Sequence, residues 1–214
     1  MILETRAVPP MQKNGYILGC EETREGVIID PGDEVNLLLD CVAGHGLTIT
    51  YILLTHAHVD HISGVGDAKR AVGAPIVLHR DDLFLYERAA QQGVAFGLPA
   101  EPQPPVDHFY DGPGPWRFGR YEVHVHHTPG HSPGGVCLQV GREGTAAKAL
   151  VAGDTLFAGS IGRVDLPGGD YATLMWSIRE VLLPFGDDAI LYPGHGPATT
   201  IGRERLTNPF LRGE

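Results

Sequence analysis

A chain of 214 residues, 43% hydrophobic and 20% charged, can bury a substantial core and suits one large domain. The formal net charge of −10, with no Lys/Arg cluster, argues against nonspecific nucleic-acid binding, because an acidic surface repels phosphates. Cys20, Cys41 and Cys137 form no C-x-x-C pair, the N-terminus lacks an apolar signal region, and no apolar run is long enough for a bilayer; these features predict a cytoplasmic protein without disulfides, signal peptide or membrane span.

In chain order, Ile2–Val8, Gly15–Cys20 and Gly26–Ile29 read as strands separated by turns. Val35, Leu38, Leu39 and Val42 then mark a helix ended near Gly44–Gly46. Ile49–Leu54 is a compact buried strand, followed by a polar loop, a helix over His61–Val72 and a strand at Ile76–Leu78. Asp81–Gln92 reads as helix and Gly93–Pro105 as loop. A second β-rich block comprises Trp116–Phe118, Tyr121–His127, Val136–Val140 and Ala149–Ala152. A helix over Asp170–Pro184, a strand at Ala189–Tyr192 and a short helix near Ile201–Leu206 complete the chain. Strands and helices thus recur in two successive blocks, which predicts an α/β fold of two packed sheets with helices outside, in one domain over residues 1–214.

The chemistry concentrates in His56-Ala57-His58-Val59-Asp60-His61, directly after a strand. On extended backbone, residues two apart point to the same side, so His56 and His58 can converge on one ion. A turn then presents Asp60 and His61 to a second position. Three further potential ligands lie far away in sequence, each in a Gly-bounded turn: His131 in Thr128–Gly135, Asp154 after Ala149–Val151, and His195 in Tyr192–Pro197. Imidazoles mixed with carboxylates suit zinc first, with iron and manganese as alternatives. By contrast His45, His79, His108, His124, His126 and His127 read as ordinary polar positions, and the three Cys as buried structural residues.

This pattern, H-x-H-x-D-H followed by Gly-His, Gly-Asp and Gly-His turns, resembles the metallo-β-lactamase superfamily over essentially the whole chain. The resemblance implies an αββα sandwich, with two mixed β-sheets packed face to face and helices outside. It implies two divalent ions, one on His56, His58 and His131, the other on Asp60, His61 and His195, with Asp154 bridging them. Asp30 in Ile28–Gly32 matches the superfamily's early Asp, which supports the ligands from behind.

Within the superfamily, Thr55–Gly64, Thr128–Gly134, Gly153–Phe157, Gly162-Arg163 and the segment Asn208–Leu211 are similar to the short glyoxalase II-like proteins, the hydroxyacylglutathione hydrolases. That resemblance implies hydrolysis of S-lactoylglutathione or a related acyl thioester by metal-bound hydroxide, with Asp60 and Asp154 as the catalytic carboxylates and Arg163 on a glutathione carboxylate. The chain ends before the C-terminal helical domain of full-length glyoxalase II. It also has Gly196-Pro197 where that family has Glu-Tyr after the last His. Gly162-Arg163-Val164-Asp165 resembles the persulfide dioxygenases too, which use a single iron. A lactonase or another ester hydrolase is a further alternative. True β-lactamases of the fold commonly carry Cys, or lack a carboxylate, at the position of Asp154, and are exported.

Overall fold

The computed structural model describes residues 1–98, 100–110, 114–145 and 147–212. Strands β1 (Ile2–Arg6), β2 (Gly15–Gly19) and β3 (Glu25–Ile29) form an antiparallel meander, and helix α1 (Val35–His45) returns the chain to β4 (Thr48–Leu53), parallel to β3. Helices α2 (Val59–Ile62) and α3 (Val65–Val72) lead to β5 (Ile76–Leu78), and α4 (Leu83–Tyr86) and α5 (Ala89–Phe96) lead to β6 (His108–Phe109). The first sheet runs β1-β2-β3-β4-β5-β6, parallel from β3 onward.

The second sheet starts with the antiparallel strands β7 (Trp116–Phe118), β8 (Tyr121–His127), β9 (Val136–Arg142) and β10 (Ala149–Gly153). A small hairpin of β11 (Leu156–Phe157) and β12 (Ser160–Ile161) precedes α6 (Tyr171–Trp176), whose start is capped by the Asp170 carboxylate accepting from Thr173 N at 2.7 Å. Strand β13 (Ile190–Pro193) then pairs parallel to β10, and β14 (Thr199–Thr200) and α7 (Ile201–Thr207) follow. The sheet order is β14-β13-β10-β9-β8-β7.

Period-two alternation builds the layers. In the first sheet Ile17, Ile28, Ile52 and Ile76 face the helices with Leu38 and Ile62, while their neighbours Leu18, Val27, Leu53 and Val77 face the second sheet. They meet Phe118, Val123, Leu138 and Val151 there. The other face of the second sheet, with Leu150 and Leu191, packs on Leu174, Ile178 and Ile201. This is the expected αββα arrangement. Residues such as Ile17, Ile28 and Leu150 are fully buried, and each such side chain contributes roughly 1.5–3 kcal/mol of transfer free energy.

The boundaries differ from the sequence reading at particular places. The helix expected over His61–Val72 is two helices, because Gly64 N–H leaves the helical ladder to donate to Pro31 O at 3.0 Å. The helix expected over Asp81–Gln92 is broken into a 3-10 turn, α4 and α5, and α5 runs on through Gly93–Phe96, which had read as loop. The helix from Asp170 widens into a π-helical stretch at Ser177–Leu182. Strands β6, β11, β12 and β14 have two residues each, too few to show a periodicity. Among the described residues no helix is long and apolar enough to cross a membrane.

Candidate metal centre

Strand β4 delivers His56 and His58 on extended backbone, with His58 at φ −72° and ψ 147°, and α2 starts immediately afterwards. Asp60 and His61 therefore leave from a helical turn, as the motif spacing requires. Turns beyond β8, β10 and β13 of the second sheet bring in His131, Asp154 and His195. All seven side chains meet where the ends of the two sheets adjoin.

His131 Nε2 lies 2.8 Å from His58 Nδ1, 3.2 Å from His56 Nε2 and 3.5 Å from Asp154 Oδ2. Nearby, His195 Nε2 is 3.2 Å from Asp60 Oδ2 and 3.5 Å from Asp154 Oδ2, and His61 Nε2 is 3.4 Å from Asp154 Oδ1. A tetrahedral ion with bonds of about 2.0–2.1 Å has ligand–ligand edges of about 3.3–3.4 Å, which all of these spacings approach except the shorter 2.8 Å between His58 and His131. His61 Nε2 and Asp154 Oδ1 are buried without a hydrogen-bond partner, as is His58 Nε2, although the first two lie 3.4 Å apart. A Cβ on Gly194 would stand 2.0 Å from Asp154 Oδ1 and 2.8 Å from His61 Cε1, so only glycine fits beside them. The donor set fits a pair of divalent metal ions.

The surroundings fix which nitrogen faces inward. His131 Nδ1–H donates to Arg163 O at 2.7 Å, His195 Nδ1–H to Met11 O at 3.1 Å, and His61 Nδ1–H to Asp30 Oδ2 at 2.9 Å. Each thereby turns its Nε2 toward the centre, the usual way a ligating imidazole is oriented. Asp30 stands at φ +49° at the end of β3 and also accepts from Thr55 N at 2.7 Å and Thr55 Oγ1 at 2.5 Å. His56 Nδ1–H in turn donates to Thr55 Oγ1 at 3.1 Å. Burial, reinforced by the neighbouring imidazoles, pushes His56 well below the ordinary range and His58 down to about 3, so both are neutral near pH 7. Burial works against charge at His61 as well, but Asp60 and Asp154 override it and push His61 up to about 10. Burial likewise opposes ionised carboxylates, yet His61 and its neighbours hold Asp60 well below its ordinary range and Asp154 down to about 2.

Several residues that support this centre escaped the sequence reading. Asp82 accepts from Ala57 N at 3.0 Å, Ser132 Oγ at 2.8 Å and Gly134 N at 2.6 Å, which ties the His56–His61 loop to the His131 turn. Gln92 on α5 grips the same loop, accepting from Val59 N and donating to Ala57 O. Lys13 and Glu34 form a buried ion pair behind Asp30, with Lys13 Nζ also donating to Asp30 O. Asn14 and Tyr16 donate to Pro193 O at 2.9 Å and 2.6 Å, anchoring the His195 turn on the first sheet. Only the acidic pair Asp81-Asp82 right after a strand offered any sequence signal. Outside this centre, the rings of His79 and His127 stack at 4.2 Å and 10°, His127 Nε2 donates to Pro133 O at 2.8 Å, and with Asp81 they form a separate, more exposed His/Asp cluster.

The family model for the metallo-β-lactamase superfamily matches residues 8–195. The chain belongs to this superfamily. Hydroxyacylglutathione hydrolase GloC of Haemophilus influenzae is 37% identical over 210-odd positions that span 99% of this chain and 98% of that protein. Two crystal structures are also similar: BLEG-1, a B3 metallo-β-lactamase, with 38% identity and a TM-score of 0.89 over 99% of this chain and all of that one, and TTHA1623 in a di-iron-bound form, with 41% identity and a TM-score of 0.83 over 97% and all. Membership of the superfamily together with these His and Asp clusters suggests a metal-dependent hydrolase, and the clusters imply divalent metals.

Proposed function

We propose that this member of the metallo-β-lactamase superfamily is a binuclear hydrolase of acyl thioesters, with S-lactoylglutathione or a related thioester as substrate. His56, His58 and His131 would hold one ion, Asp60, His61 and His195 the other, and Asp154 both, with zinc foremost and iron or manganese as alternatives. When bound, the ions would supply Lewis acidity and a water acidic enough to ionise near neutrality. The observation that carries the reading is the convergence of two ligand triads on one carboxylate at a cleft that also exposes Met11, Phe96, Arg163 and Leu166.

Among the described residues lining the cleft there is no Ser, Thr, Cys or Lys to act as a nucleophile. Cys20, Cys41 and Cys137 are buried, and burial pushes the Cys137 thiol up to about 11. Asp60 and Asp154 line the cleft as ionised carboxylates, and Asp60 would be the residue to accept a proton. A thiolate leaves readily, so the absence of a dedicated general acid among the described lining residues is tolerable chemistry. The relative named hydroxyacylglutathione hydrolase supports a thioester. The likeness to BLEG-1 favours β-lactam ring opening as a second reading, since an amide carbonyl could occupy the same place.

The test is protein reconstituted separately with zinc and with iron, given S-D-lactoylglutathione and a chromogenic cephalosporin. Thiol release with ester loss supports the thioesterase; ring opening alone supports the lactamase. Oxygen uptake on glutathione persulfide without hydrolysis of either would sink both.

A further inference from the structure

Met11, Val59, Phe96 and Leu166 give the cleft an apolar rim, and among its described lining residues Arg163 is the single cation. Arg163 is placed there by the turn before it. Gly162 packs so tightly that a Cβ would lie 1.9 Å from Asp154 O and 3.1 Å from His131 Nδ1, and this seats the Arg163 carbonyl on His131. The side chain then turns to Asp165: Nε donates to Oδ1 and Nη2 to Oδ2, both at 2.7 Å. This fork is the geometry by which a guanidinium recognises a carboxylate, and here the carboxylate comes from the same chain. The loop carrying both residues is held by Gly169 N donating to Leu166 O at 2.9 Å and Asp170 N to Gly130 O at 2.8 Å.

We propose that Asp165 is a specificity-determining residue, which competes with a substrate carboxylate for Arg163 and so shifts the preference of the cleft among related acyl thioesters from the glutathione conjugate toward those with an apolar body. The proposal deepens the thioesterase reading and rests on it for the substrate type. Two charges in fork contact cancel at the rim, and a glutathione carboxylate must displace an intramolecular rival at very high local concentration. The ion pair is solvent-exposed, with side chains 56% and 66% accessible, so it tunes the preference by a modest factor and leaves Arg163 recoverable. A neutral thioester with an apolar acyl or thiol group meets no such competition.

The probe is S-methylglutathione, a thioether that carries both carboxylates of glutathione and no scissile bond. Its affinity is measured by calorimetry on the metal-loaded wild type, on Asp165→Asn and Asp165→Ser, and on the double variant Asp165→Asn/Arg163→Gln. The single variants should bind about three- to tenfold tighter than wild type at low salt, from loss of a competing and repelling carboxylate. The gain should vanish at about 0.5 M salt and in the double variant. Equal affinity of wild type and both single variants, or a gain that survives removal of Arg163, overturns the proposal. Turnover of a neutral lactoyl thioester of N-acetylcysteamine tests the thioesterase reading separately, because the affinity comparison requires no hydrolysis.

Discussion

Replacing Lys13 by Met removes the cation of an ion pair in which both residues are only 2% exposed. Glu34 would keep one partner, the Gly32 N–H at 3.0 Å, and would carry an otherwise uncompensated buried charge. Breaking such a pair from one side costs about 3–5 kcal/mol, whereas replacing both members by apolar groups is often neutral. At about 2.1 cal/mol/K per residue, a chain of 214 residues unfolds with an entropy near 0.45 kcal/mol/K, so the expected fall in Tm is about 7–11 °C. The assay is thermal unfolding of metal-free Lys13→Met, Glu34→Leu and the double variant by circular dichroism, so that metal affinity does not enter. The double variant should regain most of the loss. A single-variant loss below about 1 kcal/mol, or a double variant no better than Lys13→Met, would refute the argument, since either shows that the buried charge was not the cost.

Three further outcomes are expected. Asp154→Ala should lose metal and activity together, measured as ion stoichiometry and thioester turnover; a variant that holds two ions with full activity contradicts the role of the shared carboxylate. Asp82→Asn keeps the shape but turns an amide N–H₂ toward Ala57 N–H or Gly134 N–H, which should cost about 1–3 kcal/mol and weaken metal binding; unchanged denaturant midpoint and affinity would show that the tie between the two loops is idle. The Cys137 thiol is raised from 9.0 to about 11 by burial, so its contribution to stability is intact below pH 9 and is lost as pH climbs toward 11. Between those limits the wild type should lose about 2–3 kcal/mol more than Cys137→Ala, and parallel pH profiles would contradict this.

What the sequence revealed follows from range. Ligands clustered within six residues, such as His56 and His61, announce themselves, because local spacing alone selects the side of a strand and the face of the next turn. His131, Asp154 and His195 were legible through their Gly-bounded turns after apolar strands. The layers were legible because pairs such as Ile17 and Leu18 are both apolar, as strands buried on two faces must be. Asp82, Gln92, Lys13 and Glu34 were not, because their partners are tens of residues away or on another element and nothing local distinguishes them from surface charges. The pairing of Arg163 with Asp165 is local, yet sequence cannot say which way an exposed side chain turns.

The division of ligands between the sheets has a topological consequence. Every strand of the first sheet precedes Tyr110 and every strand of the second follows Gly114, so each sheet is one contiguous stretch of chain. His56, His58, Asp60 and His61 belong to the first stretch, and His131, Asp154 and His195 to the second. Each triad is therefore closed by a ligand from across the divide, His131 in one case and His195 in the other. Bound ions would act as rivets between two halves of the polypeptide. Metal occupancy would then be a proximity sensor for the docking of the sheets, and a disturbance deep in the packing between Leu18 and Leu138 would register as leakage of metal before it registered as loss of secondary structure.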